Sequence, residues 1–271
     1  MATSPVLSFI SINESAPKTI LLIHGAYSSH QEWSFVSNYL TSYHLIIPDL
    51  PSHGRGSSAQ IPFSVTDSAD LLGDLITRHA HNGHASIAGL SLGGYIATNL
   101  ASRYPDLVDA LFVSGCHLSW EGPWRSWFMG HVMATSVSLI FMLPKSWFIY
   151  LAARKGLQVP EALYEDIIAT CHYSLGLYVA KSIGEDSAPG LLKNVKARTL
   201  LAVGGNEFGA GQAGDMAQLL RKGNVQSRGF RVEGKEHAWD LQDPELFAEG
   251  IMAWIEEREM PKEFVSLEQG Q

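Results

Sequence analysis

Short aliphatic runs separated by longer stretches of helical spacing set the rhythm of this chain. Thr19 to Ile23, Leu45 to Ile47, Ala85 to Ala88, Ala110 to Val113 and Thr199 to Val203 are apolar at nearly every position. A strand reads that way when both of its faces are covered, as inside a parallel sheet. Between them, Gln31 to Leu40, Asp67 to His79 and Gly93 to Arg103 have the apolar spacing of helices. Strand, helix, strand in alternation predicts a mostly parallel, doubly wound α/β sheet covered on both sides.

From His117 to about Gly184 the alternation stops. Trp120, Trp124, Trp127, Phe128, Trp147, Phe148, Tyr150, Tyr164, Tyr173 and Tyr178 crowd this stretch, which carries helical spacing and no strand-like run. It is expected to be a helical cap, residues 117–184, inserted between core segments 1–116 and 185–271 of one domain. Beyond it the alternation resumes with a helix near Asp215 to Arg221, a strand over Ser227 to Val232 and a last helix over Pro244 to Glu257.

Residues 126–144 carry no formal charge and approach the length of a membrane span. Four hydroxyl residues, Gly130, His131 and the terminal Pro144 lower the hydrophobicity of this stretch, so a buried or pocket-lining cap helix is expected and membrane contact is not. A length of 271 residues, 46% of them apolar and 17% charged, suits one folded domain with an insertion rather than a disordered chain. The net charge of −8 and the lack of a basic stripe argue against a nucleic-acid partner. Cys116 and Cys171 are the only cysteines, and the amino terminus lacks a basic start followed by a long apolar run. A reducing, cytoplasmic setting is therefore expected.

The chemistry centres on Ser91, which stands between a strand-like and a helix-like run in Gly89-Leu90-Ser91-Leu92-Gly93. Glycine on each side lets a tight strand-to-helix turn close without a Cβ in the way, leaving the hydroxyl exposed at the tip. A serine needs a base, and His237 follows the last strand-like run, where parallel sheets gather reacting groups. The base needs an acid that fixes its tautomer. Glu207, just past the strand ending at Val203, is the first candidate, with Asp215 and Asp240 as alternatives. Cys116 is a second candidate nucleophile, although a lone cysteine of this kind is more often a small core residue. His79, His81 and His84 lack an adjacent carboxylate or thiol, so an exposed turn is expected there and no metal site.

Four segments in this order resemble the α/β-hydrolase superfamily: "LLIHGAYSS", "IIPDLPSHGRGSS", "GLSLGG" and "GKEHAWDLQDPELF". The resemblance runs from about Thr19 to Ile255 apart from the cap. It implies the chain order Ser91, Glu207, His237 for nucleophile, acid and base, with backbone N–H groups of Ala26 and Leu92 forming the oxyanion hole. The family more often has aspartate where Glu207 falls. His24 is expected to brace its loop, and no cofactor is implied.

An aromatic, uncharged cap points to an apolar substrate, with Tyr27, Trp120, Trp124, Trp127 and Trp239 as pocket candidates. Of these, Trp239 reads first as a packing residue of the histidine loop and only second as a substrate contact. The expected activity is hydrolysis of an ester, lactone or thioester of a hydrophobic small molecule through an acyl-enzyme. Length and cap also resemble the accessory hydrolases of polyketide pathways. The same residues would serve a carbon-carbon hydrolase, a lyase or a cyclising acyl transferase, and some proteins of this fold are slow-turnover receptors for hydrophobic ligands.

Overall fold

The computed structural model describes residues 7–56, 63–118, 123–187, 189–207 and 212–267. Its strands are β1 (Phe9–Ile12), β2 (Thr19–Ile23), β3 (His44–Pro48), β4 (Ala85–Leu90), β5 (Val108–Ser114), β6 (Arg198–Gly204), β7 (Arg228–Val232) and β8 (Phe264–Ser266). They form one 8-stranded sheet in the order β1-β3-β2-β4-β5-β6-β7-β8. The strands from β3 to β7 run parallel, while β1 and β8 close the two edges antiparallel. Neither edge strand follows from the apolar runs. β1 is half-buried along its whole length and β8 is mostly exposed, so neither shows the fully covered pattern of a central strand.

Helices α1 (Val65–His79), α2 (Leu92–Arg103) and α8 (Ala213–Gly223) contribute to the apolar layer on one face, and α10 (Pro244–Ile255) to that on the other. The pleat divides each strand between the two layers: Leu21 and Ile23 of β2 join the first, Ile20 and Leu22 the second. All four are fully buried, each worth about 1.5–3 kcal/mol in removal from water. The expected helix over Gln31 to Leu40 is instead two 3-10 turns, His30–Ser34 and Val36–Tyr39. Ser29 caps the first turn by accepting from the N–H of Gln31, while Trp33 and Val36 are buried in the second layer. Anchoring two apolar side chains against the sheet is all this segment needs, and no i to i+4 ladder forms.

Between β5 and β6 the described chain is helical: α3 (Pro123–Phe141), α4 (Lys145–Arg154), α5 (Glu161–Thr170), α6 (Tyr173–Asp186) and α7 (Pro189–Leu192). Among the described residues no single helix is long and apolar enough to cross a membrane. One bent pair, Gly130–Phe141 with Lys145–Arg154 at 112°, passes that test by length and composition.

The sheet order reverses direction at β2, which lies between β3 and β4. Crevices outside the carboxyl ends of strands at such a switch point are where open α/β sheets bind ligands. Register makes this concrete. Ile23 pairs with Gly89, so Gly25 and Ser91 leave the sheet at the same level on neighbouring strands.

Candidate active site

Ser91 sits between β4 and α2 with φ 52° and ψ −115°, a conformation that strains any residue with a Cβ. The turn closes because its neighbours are glycines. A Cβ on Gly93 would run into the carbonyl of Ile23, and one on Gly89 into the backbone of Gly93. The Ser91 N–H donates to the carbonyl of Ser114 at 2.7 Å, tying the elbow to β5. Leu92 opens α2, where no acceptor exists within the helix for its N–H.

His237 lies beyond β7, and its Nδ1 is 2.9 Å from Oε1 of Glu207. The Glu207 side chain is only 4% exposed, and its other oxygen accepts from the N–H of Gly204 at 3.0 Å. That second bond fixes the carboxylate, which in turn fixes the ring. The imidazole lies over Gly115, at φ +66°, where a Cβ would meet the ring atoms. The protein around the His237 imidazole, whose side chain is still 48% exposed, pulls it down by partial desolvation. The hydrogen bond and charge of Glu207, with the charge of Glu32, outweigh it and leave the group above its ordinary value. Among the described residues no hydrogen bond joins His237 to the Ser91 hydroxyl. Such contacts are often long without substrate and tighten when it binds.

Of the alternative acids, Asp215 lies in the first turn of α8, and Asp240 is fully buried in α9 (Trp239–Gln242). The carboxylate bonded to His237 is that of Glu207.

Ala26 lies in the loop after β2. His24 braces this loop as a neutral ring, its Nδ1–H donating to the carbonyl of Gly25 at 2.7 Å and its Nε2 accepting from the N–H of Leu50 at 3.0 Å. Burial lowers its pKa to about 4, which keeps it uncharged. Two further groups hold the loop from α5. Thr170 Oγ1 donates to the carbonyl of Tyr27 at 2.8 Å, and Ser29 Oγ donates to Asp166 at 2.6 Å. The Gly25 N–H donates to Glu32 Oε2 at 2.6 Å. Nothing in the spacing of Glu32 from Gly25 marks that contact; the only sign is an acid among the apolar anchors of its turn.

The pocket candidates separate. Tyr27 is 6% exposed at φ 64°, its hydroxyl directed toward Gly176 of α6. Trp239 is fully buried, with Nε1 donating to Ser114 Oγ at 2.8 Å and its ring 4.2 Å from that of Phe247. It belongs to the core beneath the histidine loop and lines no pocket, because Phe112, Phe247 and Phe264 surround it. Trp124 and Trp127 are 79% and 58% exposed and pack edge to face on one another. Side chains so open to solvent do not enclose a substrate, which corrects their expected role. Trp120 lies outside the described residues. A surface groove of about 720 Å³ beside α1, lined by Asp67, Asp70, Arg103 and Tyr104 among others, is not part of this site.

Cys116 is fully buried, and its Sγ–H donates to the carbonyl of Ser91 at 3.2 Å. Burial, with the charge of Glu207, pushes the thiol well above its ordinary value. It therefore supports the elbow and supplies no thiolate. Iodoacetamide at neutral pH should leave Cys116 unmodified in the folded protein and alkylate it after unfolding, as read by peptide mass mapping. Rapid modification of the native protein would restore Cys116 as a reactive group.

A sequence model of the Alpha/beta hydrolase family matches residues 20–250. An AB hydrolase superfamily protein of Gibberella zeae is 28% identical over 262 residues, covering 94% of this chain and 86% of its own. Lipase LipV of Mycobacterium tuberculosis is 32% identical over 97 residues, which are 36% of each chain. A thermophilic esterase from Thermogutta terrifontis shares the fold with a TM-score of 0.72 over 93% of each chain at 21% identity.

Proposed function

The chain belongs to the alpha/beta hydrolase family, and from that premise we propose that it is a cytoplasmic serine hydrolase cleaving an ester, lactone or thioester of a hydrophobic small molecule. The observation that carries this reading is the pairing of His237 with the buried Glu207 at the sheet edge from which the Ser91 elbow projects. Ser91 Oγ attacks the carbonyl carbon while His237 Nε2 takes its proton. Glu207 holds the Nδ1–H and offsets the imidazolium charge. The N–H groups of Ala26 and Leu92 face the developing oxyanion, where each donor is worth about 3 kcal/mol. Collapse of the tetrahedral intermediate expels the alcohol or thiol, protonated by His237. Water activated by the same histidine then releases the acid.

The hydrophobic preference is supported by α3, in which no charged residue follows Arg125, and by the similarity of 36% of this chain to a lipase. Acyl groups of polyketide type meet that description. Each methylene buried against the helices would add about 0.8 kcal/mol to binding. A fluorophosphonate probe should label Ser91, and kcat/KM on p-nitrophenyl esters should rise severalfold from acetyl to octanoyl. Strict preference for acetyl would overturn the hydrophobic assignment. Stoichiometric labelling with only a few turnovers per molecule would turn the reading to a receptor.

A further inference from the structure

Two buried acids near this site take no part in the proton transfers of Ser91, His237 and Glu207. Glu32 is 6% exposed and accepts the N–H of Gly25, the residue before Ala26. Asp240 follows His237 by three residues and is fully buried. Among the described residues neither of its carboxyl oxygens has a hydrogen-bond partner. The helix that holds Asp240 packs on the turn that holds Glu32.

An ionised carboxylate in that position would have lost its water with only the nearby backbone N–H groups of Asp240 and Leu241 to favour its charge, too little to offset burial, so Asp240 is neutral. Burial, and then the charge of Glu32, push its carboxyl well above the ordinary range. Glu32 is in a different position. Burial raises it and outweighs the Gly25 N–H and the charge of His237, which favour the ionised form, leaving it at about 7. Like charges side by side in a desolvated space cannot both persist, and the member with a donor and a cationic neighbour keeps the charge.

We propose that buried Asp240, on the helix packed against the turn of Glu32, is held protonated, and that ionised Glu32 is a positioning residue joining the oxyanion loop to His237. This rests on the reading of His237 as the base and Ala26 as an oxyanion donor. Through Gly25, Glu32 sets the loop that presents the Ala26 N–H. Through space, it joins Glu207 in stabilising the imidazolium that forms when Ser91 gives up its proton. Neutral Asp240 leaves a single negative charge behind the oxyanion hole, where two would oppose the developing alkoxide. The charged groups acting on His237 are Glu207 from the loop after β6 and Glu32 from the turn after β2, while Glu236 on its own loop pairs with Lys155 at 2.8 Å. The titratable groups around Glu32 are His237 and Asp240.

The test is made on the full chain with two conservative variants. Glu32→Gln keeps an acceptor for the Gly25 N–H and removes the charge. It should lower kcat about tenfold, the equivalent of one pKa unit of imidazolium stabilisation, with KM unchanged. The acidic limb of kcat/KM should move to lower pH, a shift that a packing defect would not produce. Wild-type kcat together with an unmoved limb would overturn the role of Glu32.

Asp240→Asn mimics the protonated acid and is read by thermal melting across pH, without any need for activity. A carboxyl raised in the folded state binds more protons there than when unfolded. Wild-type stability should therefore fall, relative to the variant, as pH rises from the unfolded carboxyl value of about 4. A pH-independent difference between the two melting curves would overturn the protonated state of Asp240. Failure of the probe to label wild-type Ser91 would instead sink the serine-hydrolase reading and leave the melting result to decide the acid pair.

Discussion

Replacing Ser91 with alanine should lower kcat on a p-nitrophenyl ester about 10⁶-fold, as removal of a nucleophile does in other serine hydrolytic triads. Probe labelling should disappear while the melting temperature stays close to wild type. The physical basis is the isolation of the hydroxyl's role from the fold. Alanine keeps the Cβ and the same backbone at φ 52°, so it inherits the strain of the elbow without adding any. The hydrogen bonds that hold the turn use backbone groups, including the Ser91 N–H on Ser114 and the Ser91 carbonyl on Cys116. What is lost is the only hydroxyl at the tip. His237→Ala should be nearly as damaging, and the double variant little worse than either, since the groups act as a unit. Retention of more than about 1% of wild-type turnover in Ser91→Ala would mean that another nucleophile carries the reaction.

Glu207→Gln should reduce kcat about 10⁴-fold, because the amide no longer offsets the imidazolium and can present N–H where the ring needs an acceptor. The 4% exposure of the carboxylate makes this loss large, since little water can replace it. The residual activity should carry a displaced pH profile. Turnover needs a neutral His237, so kcat/KM rises with pH through its pKa, which partial desolvation lowers and Glu207 and Glu32 raise to a net value above 6.5. Without the Glu207 charge the limb should move to lower pH. Asp215→Asn, at the start of α8, should match wild type in both respects. A large loss in Asp215→Asn with none in Glu207→Gln would move the acid to the other carboxylate and leave Ser91 and His237 in place.

Much of this architecture was legible because its signals are local. A parallel strand covered on both faces must be largely apolar, so β2, β3, β4, β5 and β6 announce themselves within five to seven residues. The elbow is equally local: a serine can occupy that turn only with glycine at Gly89 and Gly93, where the backbones of β2 and α2 come too close for a side chain. Chain order and the carboxyl ends of strands singled out Ser91 and His237 and narrowed the acid to three residues.

Tertiary structure decided what depends on partners distant in the chain. Glu207, Asp215 and Asp240 are chemically equivalent on paper; one bonds His237, one opens an exposed helix turn, and one is buried with no hydrogen-bonding partner among the described residues. Trp239, beside the base, reads first as packing and is indeed enclosed by the sheet and α10, while Trp124 and Trp127 read as lining and stand in solvent. Glu32 lies in a segment with helical spacing, and only the packing of that turn against Gly25 and α9 gives its carboxylate a task. Apolar periodicity states that a residue will be covered; which groups cover it, and so its charge, hydrogen bonds and access to substrate, is set by segments more than two hundred positions away in the case of Glu32 and Asp240.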